Sequence, residues 1–126
     1  MSAPGKHNFI VYQGSTWDEE IVLNNADGTP MNLTGMQARM QLREEFASPS
    51  FILALDGTNG RLTVSDAVGG RLRLLVAALD TAALPLDFEP KVYLYDLELF
   101  RPLPEPEYVR KVLAGRVKCF PEITRV

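Results

Sequence analysis

The stretch KVYLYDLELF, residues Lys91 to Phe100, is the longest run of strand-forming residues in this chain. Its residues alternate, so that one face carries Tyr93, Tyr95, Leu97 and Leu99, and the other carries Val92, Leu94, Asp96, Glu98 and Phe100. A period of two is typical of a β-strand with one buried face. The stretch therefore predicts a central strand that places tyrosine and leucine in the core.

Shorter runs of the same kind lie on both sides of it. Nine glycines and nine prolines divide the chain into these runs, as in all-β domains. Helix formers are common between Met36 and Arg43, but strict alternation favours a strand there too. The other predicted strands are His7 to Gln13, Thr16 to Leu23, Phe51 to Asp56, Arg61 to Ser65, Arg71 to Val76 and Tyr108 to Phe120. We expect an antiparallel sandwich or barrel of seven or eight strands.

Two local features interrupt this strand pattern. The alanine-rich segment Ala77 to Leu84 predicts one helical turn, with Asp80 or Thr81 as its N-cap and Pro85 after it. A glycine inside a strand often marks a bulge, so Gly115 is the predicted bulge of the last strand.

Length and charge limit the class of protein. A chain of 126 residues fits one domain, residues 1–126, with 1–6 as a flexible N-terminus and 121–126 as a C-terminal extension. The net charge is −3 and the basic residues are scattered, which argues against nucleic-acid binding. No apolar run predicts a membrane span or a secretion signal, so we expect synthesis and folding in a reducing cytoplasm.

Few residues offer catalytic or metal-binding chemistry. His7 and Cys119 are the only residues of their types, so a zinc site within one chain is not expected. No glycine-rich phosphate loop is present, and we expect no cofactor. Asp96 and Glu98 resemble the paired carboxylates of glycoside hydrolases, but Lys111 on the next strand is expected to pair with either of them. We therefore expect that the protein is not an enzyme. The alternative is a small enzyme that uses Asp96 and Glu98.

Exposed loops are the remaining candidates for function. Prolines stiffen the loop from Phe100 to Pro106, and a stiff loop loses little entropy on docking. Aromatic residues in other loops also favour protein contacts. The predicted partner-binding residues are Phe46, Phe51, Phe88, Phe100, Arg101, Pro102, Leu103 and Pro104. A carbohydrate-binding module is an alternative that would use Trp17, Tyr12, Tyr93 and Tyr108, although alternation turns several of these inward.

The order of short motifs along the chain carries a resemblance. The motifs are FIVYQGSTW at 9–17, DGTP at 27–30, NLTG at 32–35, ARMQLR at 38–43, GRLRL at 70–74, YDLE at 95–98, VLAGRV at 112–117 and EITR at 122–125. Together they resemble a family of small structural proteins of tailed phages and prophages. The chain is similar, from Phe9 to Arg125, to the immunoglobulin-like N-terminal domain of phage baseplate upper proteins.

This resemblance implies an immunoglobulin-like β-sandwich present in many copies on a virion, without catalytic residues or a cofactor. The implied partners are other virion proteins, in the tail, the baseplate or the head–tail adaptor region. Assembly would use strand edges and the proline-rich loop, as a homo-oligomer or as symmetric copies. A capsid decoration protein is the further alternative. The protein would be made in the bacterial host cytoplasm and would end in the virion.

Overall fold

A computed structural model describes residues 5–102 and 108–124 of the chain. This part forms nine strands and one short helix. Their bounds are β1 Gly5–Lys6, β2 Phe9–Tyr12, β3 Trp17–Val22, β4 Gln37–Arg43, β5 Leu53–Asp56, β6 Leu62–Asp66, β7 Arg71–Val76, α1 Ala78–Ala82, β8 Lys91–Arg101 and β9 Tyr108–Phe120. The all-β prediction is confirmed, and β1 lies inside the range that was expected to be a flexible terminus.

The strands form two sheets. The larger sheet has the order β1-β9-β8-β4-β5, with β2 also paired to β9, and the smaller sheet has the order β3-β7-β6. Most neighbouring strands are antiparallel, as expected, but β1 and β2 run parallel to β9. Parallel strands need a long connection between them, and here almost the whole domain lies between β2 and β9. The prediction that almost all strands are antiparallel is confirmed, and the two N-terminal strands are the exceptions.

Alternating side chains from both sheets form one core. On β8, Tyr93, Tyr95, Leu97 and Leu99 are all buried, as the alternation predicted. Phe9 links the two sheets, because its ring lies 5.5 Å from the Trp17 ring on β3 and 5.2 Å from the Tyr95 ring on β8. The buried apolar residues belong to a single cluster, so the described residues share one hydrophobic core.

The predicted helix cap is wrong. Ala77 is the N-cap of α1, and its side chain makes no capping hydrogen bond. Asp80 and Thr81 lie inside the helix, where Thr81 is fully buried. The Thr81 hydroxyl donates to backbone oxygens of Ser15 and Ala78. The Thr81 side chain therefore connects α1 to the chain near Ser15 and does not cap the helix.

The predicted bulge at Gly115 is also wrong. The irregularity of β9 lies at Val112, because Leu97 pairs with Leu113 while Glu98 pairs with Lys111. Gly115 has a different role, since a Cβ atom there would lie 2.1 Å from the backbone oxygen of His7. Glycine at this position lets the N-terminal strands lie close to β9.

The sandwich has two ends that differ in structure. We call the end where β2 and β9 finish and β8 begins the α1 end, because α1 connects the sheets there. The far end holds the turns between β3 and β4. Residues 121–124 continue from β9 at the α1 end without further strand structure.

Candidate interaction surface

The structure divides the predicted partner-binding residues between the two ends. Phe46 and Phe51 lie between β4 and β5, and Phe88 lies just before β8, so these three belong to the α1 end. All three are exposed. Phe100, Arg101 and Pro102 lie at the far end, and Leu103 and Pro104 fall outside the described residues. The predicted residues therefore do not form one continuous surface.

At the far end, the aromatic side chains are partly covered by arginines. The guanidinium carbon of Arg39 lies 4.3 Å from the centre of the Phe100 ring, and Phe100 is only partly exposed. The guanidinium carbon of Arg101 lies 5.5 Å from the centre of the Tyr108 ring. These cation–π contacts occupy faces of both rings.

A different apolar surface lies on the outer side of β2, β9 and β8 at the α1 end. Ile10 pairs with Lys118, and Lys118 pairs in turn with Val92, so the three side chains form one row across the sheet. In the next row, Tyr12 pairs with Phe120 and their rings stack with centroids 5.5 Å apart. We call this surface the apolar–basic face and define it by Ile10, Tyr12, Val92, Arg116, Lys118 and Phe120.

Most of the apolar side chains on this face are well exposed. Ile10 is 54% exposed, Tyr12 59% and Val92 44%. Alternation along β2 puts Ile10 and Tyr12 on the same, exposed face, but no local pattern in the sequence puts them beside β9. The parallel β2–β9 pairing brings them next to Lys118 and Phe120. Sequence reasoning missed this surface because strand partners, unlike strand faces, are not encoded by a local pattern.

The two basic residues of the face are Arg116 and Lys118. Within the described part of the chain, neither Arg116 nor Lys118 forms an ion pair. The Lys118 ammonium lies 5.2 Å from the centre of the Phe120 ring. Beside them on the sheet, Arg43 pairs with Leu94 and donates hydrogen bonds to Ser48 O and Gln41 Oε1. This half of the outer sheet therefore carries positive charge among apolar side chains.

Farther along the same sheet, the charges are neutralised. The Lys111 ammonium lies 3.0 Å from an Asp96 carboxylate oxygen, and Arg39 Nε lies 3.0 Å from Glu98 Oε1. The expected pairing of Lys111 with this carboxylate pair is confirmed. The hydrogen bond to Asp96, together with its charge, raises the pKa of Lys111. These contacts favour the structural interpretation of the two carboxylates.

The other candidate chemical groups lie in the core. Cys119 is fully buried, and burial raises the pKa of its thiol to about 11. The thiol is therefore protonated at neutral pH, whereas a nucleophilic cysteine requires the thiolate. Trp17 and Tyr93, two residues considered for sugar stacking, are also buried. Tyr12 and Tyr108 are exposed, but they lie at opposite ends of the sandwich.

The edge strand β5 is protected against pairing with a further strand. Asn59 Nδ2 and Arg61 Nη1 both donate to the backbone oxygen of Ala54, at 3.0 and 2.9 Å. The backbone N–H of Asp56 donates to Asn59 Oδ1. Side chains thus satisfy backbone groups that a partner strand would need. Assembly through strand edges, as expected above, does not fit this edge.

Residues 5–102 and 108–124 contain no group of three or more His, Cys, Asp or Glu side chains arranged to hold a metal ion. Their helix is too short to cross a membrane.

The fold resembles a solved structure described as chicken TCR. The two structures superpose with a TM-score of 0.51 at 14% sequence identity, over 98% of this chain and 56% of the other chain. The present chain thus spans little more than half the length of that protein. No protein-family model matches this chain, and no curated protein matches its sequence.

One internal contact agrees with this likeness. Near the start of β8, the Tyr93 hydroxyl donates a 3.0 Å hydrogen bond to the Pro85 backbone oxygen, a contact similar to the tyrosine corner of immunoglobulin-like domains. The inter-sheet disulfide of antibody domains has no counterpart, because the chain has one cysteine. The chain folds as an all-β, immunoglobulin-like sandwich.

Proposed function

We propose that this chain is a non-enzymatic structural component of a tailed bacteriophage particle, in the tail, the baseplate or the head–tail adaptor region. It acts through contacts with other virion proteins. The observation that carries the protein-contact role is the apolar–basic face, where exposed apolar side chains lie beside two cations that have no carboxylate partner among residues 5–102 and 108–124. The phage assignment rests on the motif order from Phe9 to Arg125.

The environment of the candidate catalytic groups supports a role without catalysis. Asp96 and Glu98 each contact a cation at 3.0 Å, so both carboxylates are already engaged in ion pairs on the sheet surface. The Cys119 thiol has no access to solvent. At these positions the enzyme alternative has only carboxylates that are already held by cations and a thiol that is buried.

A carbohydrate-binding module is less well supported. Sugar-stacking platforms need flat and exposed aromatic rings, whereas Trp17 and Tyr93 are in the core. Tyr12 remains exposed, but it stacks on Phe120. A glycan array without hits would remove this alternative.

The protein composition of purified particles tests the proposal directly. We expect mass spectrometry of particles induced from the host to detect this chain in many copies. Immunogold labelling with an antibody against the chain then separates a tail or adaptor position from capsid decoration, which labels the whole head surface. Particles that lack the chain contradict the proposal.

Sedimentation velocity of the purified chain tests how the copies are organised. A fixed oligomer means that the contacts between copies lie within this chain. A monomer at all concentrations means that a neighbouring virion protein supplies the organising surface.

A further inference from the structure

We infer that the apolar–basic face is the docking site for an extended segment of a different protein, in which acidic residues accompany apolar ones. This inference rests on the proposed protein-contact role and adds the location of the contact and the chemistry of the partner. It does not depend on which particle, or which part of a particle, contains the chain.

The size of the face indicates a segment rather than a whole domain surface. Its three strands span about 10 Å across the sheet, since neighbouring strands lie about 4.8 Å apart. Its three rows span about 13 Å along the strands, at about 3.3 Å per residue. An interface between globular surfaces usually covers about 800 Å² on each partner, much more than this face offers. Four to six extended residues match the available length.

The charges of the face select the partner. Arg116 and Lys118 lack carboxylates within the described residues, and Arg43 adds a third cation beside them. At the margin of the face, Lys91 and Glu44 form an ion pair, so together they add no net charge to the face. The nearest carboxylate on the outer face of β8, Asp96, is already held by Lys111. A partner that brings carboxylates therefore gains attraction without displacing an existing pair.

The same charges argue against a second copy of this chain. A two-fold symmetric contact places the same patch on both sides of the interface. Such a contact would bring Arg116 and Lys118 of one copy against the same two residues of the other. Like charges facing each other in an interface cost several kcal/mol. The face thus fits a partner of opposite charge.

The face is also well ordered for binding. β9 is paired with β8 at Arg116, and with both β2 and β8 at Lys118. The Phe120 ring contacts Tyr12 on one strand and the Lys118 ammonium on its own strand. Side chains that are already held lose less conformational entropy on binding.

Selection from a display library of random dodecapeptides tests this inference on the full chain. We expect the selected peptides to combine Asp or Glu with apolar residues. We expect the double variant Arg116→Glu/Lys118→Glu to bind these peptides at least about tenfold more weakly, since each tenfold corresponds to about 1.4 kcal/mol. Thermal unfolding of the variant controls for correct folding, because neither side chain forms an ion pair within the described part of the chain.

A matched variant at the far end compares the two candidate surfaces. Arg101 and Lys118 each lie above an aromatic ring, at 5.5 and 5.2 Å. We expect Arg101→Glu to leave peptide binding unchanged. The inference is overturned if Arg101→Glu abolishes peptide binding and the double variant does not. It is also overturned if the selection yields no binders, or if the selected peptides lack acidic residues. A concentration-dependent dimer that the double variant abolishes overturns it as well, because the face would then bind a second copy of the chain. Absence of the chain from phage particles contradicts the proposed function and leaves the peptide result standing.

Discussion

The two ends of the sandwich are held by hydrogen bonds of different kinds. At the α1 end, the Gly14 N–H donates to Thr81 Oγ1, the Thr81 hydroxyl donates to Ser15 O, and Gln13 Nε2 donates to Leu84 O. These partners are 66 to 71 residues apart in the sequence. At the far end, the turn hydrogen bonds from Thr29 to Asp27 and from Thr34 to Asn32 join residues two positions apart.

This difference predicts different responses to mutation. The far-end side chains are exposed, so water can replace a lost hydrogen bond there. Thr81 is 0% exposed, and its loss leaves the Gly14 N–H and the Ser15 oxygen without their partner in a part-buried position, where water replaces a hydrogen bond less readily than at the exposed far end. The α1 end is therefore expected to be sensitive to single polar substitutions, whereas the far end is sensitive mainly to changes of backbone geometry.

The largest expected loss of stability comes from a substitution that changes the backbone at the far end. At Gly70, φ is +68°, and a Cβ atom would lie 2.4 Å from the Leu23 backbone oxygen. We expect Gly70→Ala to lower the free energy of unfolding by more than about 3 kcal/mol, because strain and a backbone clash add together. Urea unfolding measures the change.

Gly28→Ala at the same end is the matched control for Gly70→Ala. At Gly28, φ is +88°, but nothing lies within 4 Å of the added Cβ. We expect a loss of only about 1–2 kcal/mol, from the left-handed conformation alone. Equal losses in the two variants contradict the close approach at Gly70.

The second effect tests the α1 end. We expect Thr81→Val to cost about 1–3 kcal/mol of unfolding free energy, because the Gly14 N–H and the Ser15 oxygen lose their partner while side-chain volume is kept. Thr34→Val at the far end is the counterpart, with an expected loss within about 0.5 kcal/mol. Chemical denaturation of both variants measures the difference. Similar losses in the two variants would remove the contrast between the ends.

The third prediction concerns how the stability of the α1 end depends on pH. Burial raises the pKa of Tyr93 to about 12, from 10.0. Below pH 10 the phenol is neutral in both the folded and the unfolded chain, so its contribution to stability is fully present. Between about pH 10 and 12 only the unfolded chain ionises, so the free energy of unfolding falls. We expect Tyr93→Phe to reduce this alkaline slope and to cost about 1 kcal/mol at pH 7, from the lost bond to Pro85.

Cys119 must be controlled in this pH experiment, because burial raises the pKa of its thiol from 9.0 to about 11. Its contribution to stability is also lost with rising pH, starting one unit lower. The titration is therefore best made in a Cys119→Ala background, by tyrosinate absorbance alongside unfolding. An alkaline slope that is identical with and without the Tyr93→Phe substitution contradicts the assignment.

The smallest expected effect lies on the outer face between the two ends. Lys111 and Asp96 are both nearly half exposed, so solvent screens their attraction. We expect Lys111→Gln to change the free energy of unfolding by less than about 1 kcal/mol. A double-mutant cycle with Asp96→Asn measures the coupling. A coupling well above that value would mean that this pair, and not only the core, stabilises the larger sheet.

Local patterns in the sequence determined much of this fold. Alternation from Lys91 to Phe100 was sufficient to predict a central strand and its four buried residues, because side-chain direction in a strand depends only on position along the chain. The same reasoning predicted the pairing of Lys111 with the carboxylates of β8. It also identified the segment that forms α1, although not its cap.

Only the tertiary structure decided which strands became neighbours. Parallel pairing of β2 with β9 joins residues more than a hundred positions apart, and it creates the apolar–basic face. Thr81 has its role for the same reason, because its partners come from the chain near Gly14. A short-range pattern encodes the face on which a side chain lies, whereas its neighbours across a sheet depend on how the whole chain packs.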